Sequence, residues 1–176
     1  MAGSLIKIDE EIVSSAVASV TLSGINSTYD VYMVVANNVS TTDDNSSIRL
    51  RVTKDVSGTP TAQTTSNYDM AFKVLKSDAT FENKSNTNEN NMHLFYAGIS
   101  NVSAENFNAI MYLFNFNNSS EYSFITTEVS TQQYTGHLDG IQGGGVYTVA
   151  EAHNGIQIYV PNTLDSGTFK LYGLKK

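Results

Sequence analysis

The stretch Ile48-Arg49-Leu50-Arg51-Val52-Thr53-Lys54 alternates strictly between apolar and polar side chains. Only a β-strand sends successive side chains to opposite faces, so this run reads as a strand with one face in a core and one in water. The same period recurs in Ser19-Val20-Thr21-Leu22, in Gly155-Ile156-Gln157-Ile158-Tyr159-Val160 and in Gly167-Thr168-Phe169-Lys170-Leu171-Tyr172. Three further runs, Tyr29–Ala36, Met92–Ala97 and Ala109–Phe114, are apolar in both registers. Such runs suit strands covered on both sides, by a second sheet and loops or by a neighbouring subunit. Strands are also expected near residues 12–18, 69–76, 121–129 and 145–150.

Turn-forming clusters separate these runs: Asn37-Asn38, Thr41 to Ser47, Ser57-Gly58-Thr59-Pro60, Asn83 to Asn91, Asn117 to Ser120 and Asp165-Ser166-Gly167. Helix is confined to a turn near Ser103-Ala104-Glu105-Asn106. About ten short strands at this spacing predict an all-β, antiparallel β-sandwich of jelly-roll-like character. With no internal repeat or linker, residues 1–176 read as a single domain, and residues 1–12 as an arm that pairs with the body or with a neighbour.

Composition limits the chemistry. The chain has no cysteine, which removes disulfides, thiolate metal sites and thiol nucleophiles. Its N-terminus, Met1 to Glu11, lacks the basic and apolar regions of a signal peptide, and no stretch approaches the roughly 18 apolar residues of a membrane span. A soluble protein made in a reducing compartment, with no membrane partner, is the expectation. Ten basic against seventeen acidic residues give a net charge of −7, which opposes general nucleic-acid binding and leaves only Arg49 and Arg51 for a local basic strip.

The candidate reactive residues are sparse. His93, His137 and His153 stand apart without a metal-ligand spacing, and read as surface or satisfied histidines unless the fold gathers them around zinc. The Asp43-Asp44-Asn45 loop, within Thr42 to Ser46, has clustered oxygen ligands of the kind calcium takes. It lacks the later bidentate Glu of an EF-hand loop, so a solvated turn is the simpler reading. Gly140-Ile141-Gln142-Gly143-Gly144-Gly145 precedes a strand-like run, not the helix that a phosphate loop needs, and reads as a flexible tip or a close approach of backbones. No GxSxG elbow occurs, no Ser–His pairing can be inferred, and spacing selects no pair of glycosidase carboxylates. Asn-Xaa-Ser/Thr triplets such as Asn26-Ser27-Thr28 and Asn118-Ser119-Ser120 are expected by chance in so Asn- and Ser-rich a chain. No catalytic, cofactor or metal residue is therefore assigned, and the protein reads as a non-enzyme.

Ten Tyr and eight Phe with no Trp supply contact area instead. Tyr112, Tyr122, Tyr134, Tyr147, Tyr159 and Tyr172 lie in or beside strands, where they serve equally as interface anchors or as core with wet hydroxyls. Two stretches then carry a family likeness. The segments Ala16-Val17-Ala18-Ser19-Val20-Thr21-Leu22-Ser23-Gly24-Ile25-Asn26-Ser27-Thr28-Tyr29-Asp30-Val31-Tyr32 and Leu164-Asp165-Ser166-Gly167-Thr168-Phe169-Lys170-Leu171-Tyr172-Gly173-Leu174-Lys175 resemble the small virion structural proteins of marine tailed phages, cyanophages among them. The likeness extends through Ile110–Asn115, with Gly24 and Gly167 at turns that tolerate positive φ.

That resemblance implies a jelly-roll module displayed on a virion. The leading expectation is a capsid decoration or cement protein on the outer face of the head shell. It would partner the major capsid protein or other virion proteins as a homo-oligomer, most simply a trimer. The alternative is a tail-fibre or receptor-binding tip that grips host surface glycan. A glycan depolymerase would require two carboxylates roughly 5–9 Å apart.

Overall fold

The computed structural model describes residues 4–96, 98–102 and 104–175. Among them are twelve strands: β1 (Leu5–Val13), β2 (Val17–Ser23), β3 (Val31–Thr41), β4 (Arg49–Val56), β5 (Thr59–Ala62), β6 (Tyr68–Lys76), β7 (Phe81–Glu89), β8 (Met92–His93), β9 (Phe107–Phe114), β10 (Ser123–Gln132), β11 (Leu138–Tyr147) and β12 (Gly155–Leu174). Every pairing is antiparallel, and the fold is all-β and sandwich-like, as the alternation predicts.

One strand organises both layers. The first part of β12, Gly155–Tyr159, lies between β2 and β4, and its later part, Gly167–Gly173, lies between β1 and β3. Between them, Pro161 and Asn162 are exposed where the strand passes from one layer to the other. Pro161 has no N–H to waste at such a corner, where ladder bonds are interrupted. The narrow layer is therefore β2–β12–β4–β5, with β8 also on β4, and the wide layer is β1–β12–β3–β9–β10–β11–β6–β7. The inner faces meet across the core. The Val52 N–H of β4 donates to the hydroxyl of Tyr68 on β6 at 3.0 Å, and that hydroxyl donates to Gln63 O at 2.8 Å. Leu22, Val34, Leu50, Val52, Phe107, Met111, Leu113, Phe169 and Leu171 are all fully buried in one apolar cluster.

Several local expectations need correction. The strand expected near 12–18 is two strands, because Ser14-Ser15-Ala16 breaks the chain between β1 and β2. β1 pairs with β12 of its own body, beginning at Leu5↔Leu174. Of residues 83–91, read as a turn cluster, 83–89 belong to β7 at a sheet edge, where polar side chains need no burial, and only Asn90-Asn91 bend the chain toward β8. Asn37-Asn38 and Asp165-Ser166-Gly167 are not turns between strands but irregularities inside β3 and β12. The register shifts between Ala36 and Val39 and on either side of Ser166, and Asn38 and Gly167 take φ of 53° and 144°. The strands are also not uniformly short, since β12 runs for 20 residues. Of the run Met92–Ala97, only Met92–His93 is strand. Leu94 and Phe95 plug the core, and Ala97 lies outside the described residues. Ser103, in the expected helical turn, also lies outside them, and Ala104–Asn106 form no helix. The Ser57-Gly58 turn does join β4 to β5, both residues having positive φ.

The glycine cluster is not a loop tip, and the strand expected over 145–150 ends at Tyr147. Gly143, Gly144 and Gly145 sit mid-strand in β11, between β10 and β6. A Cβ on Gly143 would stand 2.3 Å from Phe72 Cβ, and one on Gly145 would stand 2.4 Å from Met92 Sδ. Close approach of neighbouring groups, the other reading of the sequence, is what requires them.

Candidate functional site

The stretches Ala16–Tyr32 and Leu164–Lys175 form a single packed unit. Gly24, at φ 96°, starts the turn after β2, and Asn26 closes it on Tyr32. The Asn26 N–H donates to the Tyr32 hydroxyl at 3.0 Å, and that hydroxyl donates back to Asn26 O at 2.5 Å. Tyr29 meets Tyr32 edge to face, with ring centroids 5.7 Å apart, and lies directly over Gly173, where a Cβ would come within 2.3 Å of its ring. β2 and β3 both pair with β12, so the motif residues hold the two layers together. Their role is architectural.

The histidines occupy three separate surroundings. His137 is partly exposed at the β10–β11 turn, its Nε2 3.9 Å from Asp78 Oδ2. His93 stacks flat on Tyr96, with centroids 4.1 Å apart and ring planes 2° from parallel. Burial, helped by the positive charge of Arg49, pushes its pKa down to about 4. His153 is fully buried, and its Nδ1 lies 2.8 Å from the Ser123 hydroxyl, a pairing that the sequence, which sets the two 30 positions apart, could not reveal. Its Nε2 is 3.4 Å from Glu151 Oε1 but makes no hydrogen bond, and Glu151 Oε2 accepts from Lys54 Nζ at 2.5 Å.

Ser, His and Glu in sequence along a chain of contacts have the order of a hydrolase triad, so access decides what they can do. Ser123 and His153 both have 0% exposure. A nucleophile sealed from solvent meets no substrate, and the rings of Phe116 and Tyr147 close edge-on around the imidazole. The main-chain N–H of His153 donates to Phe116 O at 2.6 Å. Together these contacts pin β10 and the β9–β10 loop to the segment before β12. Burial lowers the His153 pKa, and the Glu151 charge opposes it less strongly, so the ring is held neutral.

Hydrogen bonds from within and outside brace the acidic loop. Thr41 Oγ1 and Ser46 Oγ both donate to Asp43 O, at 2.8 and 3.0 Å, and Asp44 accepts from the Asn101 N–H at 3.2 Å. Among the described residues, no three His, Cys, Asp or Glu side chains converge to hold a metal ion. Arg51 lies over the Tyr159 ring at 4.4 Å and donates to Asn90 O at 3.0 Å, while Arg49 donates to Ser47 Oγ at 3.2 Å, so both arginines are engaged within the fold. Both carboxylate oxygens of Asp139 are buried without a hydrogen-bond partner, and burial raises the pKa of that group.

The tyrosines divide between the two readings. Tyr147 is buried, its hydroxyl paired with Thr65 Oγ1 at 2.9 Å, whereas Tyr112, Tyr122 and Tyr134 are exposed. Tyr112 belongs to the most distinctive surface of the molecule. Residues directly opposite one another in adjacent strands share a face. The register therefore lines up Tyr172, Met33, Tyr112 and Thr126 across β12, β3, β9 and β10 as one outward row. The rows on either side are Lys170, Val35, Ile110 and Glu128, and, from β3 to β10, Val31, Phe114 and Phe124. Ile110 and Phe124 are 42% and 46% exposed. The strands read as apolar on both faces are thus covered on one side only. Shallow hollows of about 400 Å³ lie on this face, one over Ile110, Tyr112, Thr126 and Gly143, another over Val35, Asn108 and Ile110.

A separate polar hollow of about 400 Å³ opens at the loop end, between the β2–β3 and β9–β10 connections. Its lining includes Tyr29, Asp30, Asn115, Asn117 and Asn118. No family model matches this chain, and no curated protein matches it either.

Proposed function

We propose that the protein is a non-enzymatic structural component of a phage particle, a decoration or cement protein that docks on the outer face of the head shell. The observation that carries this reading is the outward face of β3, β9 and β10, a contiguous apolar sheet surface on a domain of net charge −7. Exposed apolar area of this kind is costly in water and marks a subunit built to assemble with other chains, its own copies included. The likeness of Ala16–Tyr32 and Leu164–Lys175 to virion proteins supplies the particle. Its partners are the major capsid protein or neighbouring virion proteins. Cryo-electron microscopy of intact particles tests the assignment: density for this chain on the head surface is expected, and density confined to the tail overturns it.

The loop-end hollow favours one second reading, a receptor-binding tip. A tyrosine ring, an aspartate and three asparagines around one depression are the groups that stack on and hydrogen-bond a sugar. Purified protein that binds host cells and blocks phage adsorption would establish it, and loss of that blocking in Asn117→Ala would place the sugar there.

A further inference from the structure

The outward face of the wide layer has a pattern that identifies its partner. In its charged row, Lys170 on β12 and Glu128 on β10 flank Val35 and Ile110 on the two central strands. Phe169 and Leu171, and likewise Thr127 and Val129, are buried, so both charges point outward. Glu128 accepts only a 3.3 Å hydrogen bond from Gln142 and has no cation beside it among the described residues. Lys170 already lies 3.2 Å from Glu10 at the far edge.

We propose that a second copy of this chain covers this face, sheet against sheet, about a two-fold axis running parallel to the strands midway between β3 and β9. That operation exchanges β3 with β9 and β12 with β10 while keeping each row in place. Val35 then faces Ile110, Met33 faces Tyr112, and Val31 faces Phe114. In the same step Lys170 of each copy faces Glu128 of the other, twice over. No translation is needed to bring opposite charges together, so the face is complementary to itself, as an isologous contact must be.

The dimensions agree. At about 4.8 Å between strands, each charge sits about 7 Å from the axis. The angle of about 30° between aligned packed sheets then offsets facing charges by only about 4 Å, which a lysine side chain spans. The same two-fold exchanges β1 with β11, so six strands over about seven residues give a footprint of roughly 690 Å² per copy, or roughly 1,400 Å² in all, within the usual range of a specific association. A two-fold pair replaces the trimer that capsid symmetry alone would suggest.

This inference rests on reading the sheet face as a contact surface; it gives that face to the second copy, so the pair meets a particle through another of its surfaces. The test is sedimentation or light scattering on the purified full chain, with circular dichroism to confirm folding. The expected mass is twice the 19.2 kDa of one chain. Glu128→Lys and Lys170→Glu should each weaken the pair about tenfold or more, and the double exchange should restore it. A monomer at high micromolar concentration, a trimer, or a double variant no better than the singles would overturn the two-fold pairing. None of these results bears on head-surface density in particles, so the two readings fail separately.

Discussion

β9 presents two faces built from similar residues. Ala109, Met111 and Leu113 point inward and are closed off by the narrow layer, while Ile110 and Tyr112 point outward and stay open. Composition does not separate the two sets, since each is large and mostly apolar. What separates them is whether a second layer lies opposite. The inner face therefore contributes folding energy, whereas the outer face leaves its apolar area in water.

Substitutions can break that contrast. Met111→Ala opens a cavity in a fully buried site and should cost about 2–5 kcal/mol, read from chemical denaturation. A cost below 1 kcal/mol would mean that the inner face is loosely packed. An intermediate effect should come from acid. His93 and His153 have folded-state pKa values below that of an unfolded histidine, so below about pH 6.5 the unfolded chain binds more protons. Their contribution is complete above that pH and is lost as pH falls toward the folded value, about 4 for His93, by on the order of 2 kcal/mol. Denaturation midpoints from pH 7 to pH 4 measure it, and a flat profile would mean that these rings reach water. The smallest effect should be that of Ile110→Ser, within about 0.5 kcal/mol for the isolated fold when stability is measured at high dilution. A large loss there would show that the outer face is part of the monomer's own core.

How legible this was in the sequence depends on the kind of signal. Ile48–Lys54 and Gly167–Tyr172 announced their strands because one side is wet, which leaves a period of two. Phe81–Glu89 stayed hidden because an edge strand can be Asn-rich and polar and still complete its hydrogen bonds. Gly167 was visible as a positive-φ position and Asn38 as a turn former, but nothing local distinguishes a bulge within a strand from a turn between two. Gly143–Gly145 could be given its tight surroundings as one of two options, because the crowding comes from Phe72 and Met92, far away in the chain. The Ser123–His153 contact carries no spacing signal at all, since it is created by β10 lying beside the segment that precedes β12. Double-sided runs in β3 and β9 raised the expectation that both faces are covered, but which face the fold itself covers follows only from the strand order.

The path of β12 has a consequence for biosynthesis. Gly155–Leu174 pairs with β1, β2, β3 and β4, all of which leave the ribosome earlier. Those four strands must wait, their edges unsatisfied, until this segment emerges to join them. Native structure is then reached late and through contacts of large sequence separation, which places folding on the slow side, in milliseconds to seconds. During that interval the nascent chain offers bare strand edges, and chaperone capture or rapid release from the ribosome would determine the yield of assembled protein.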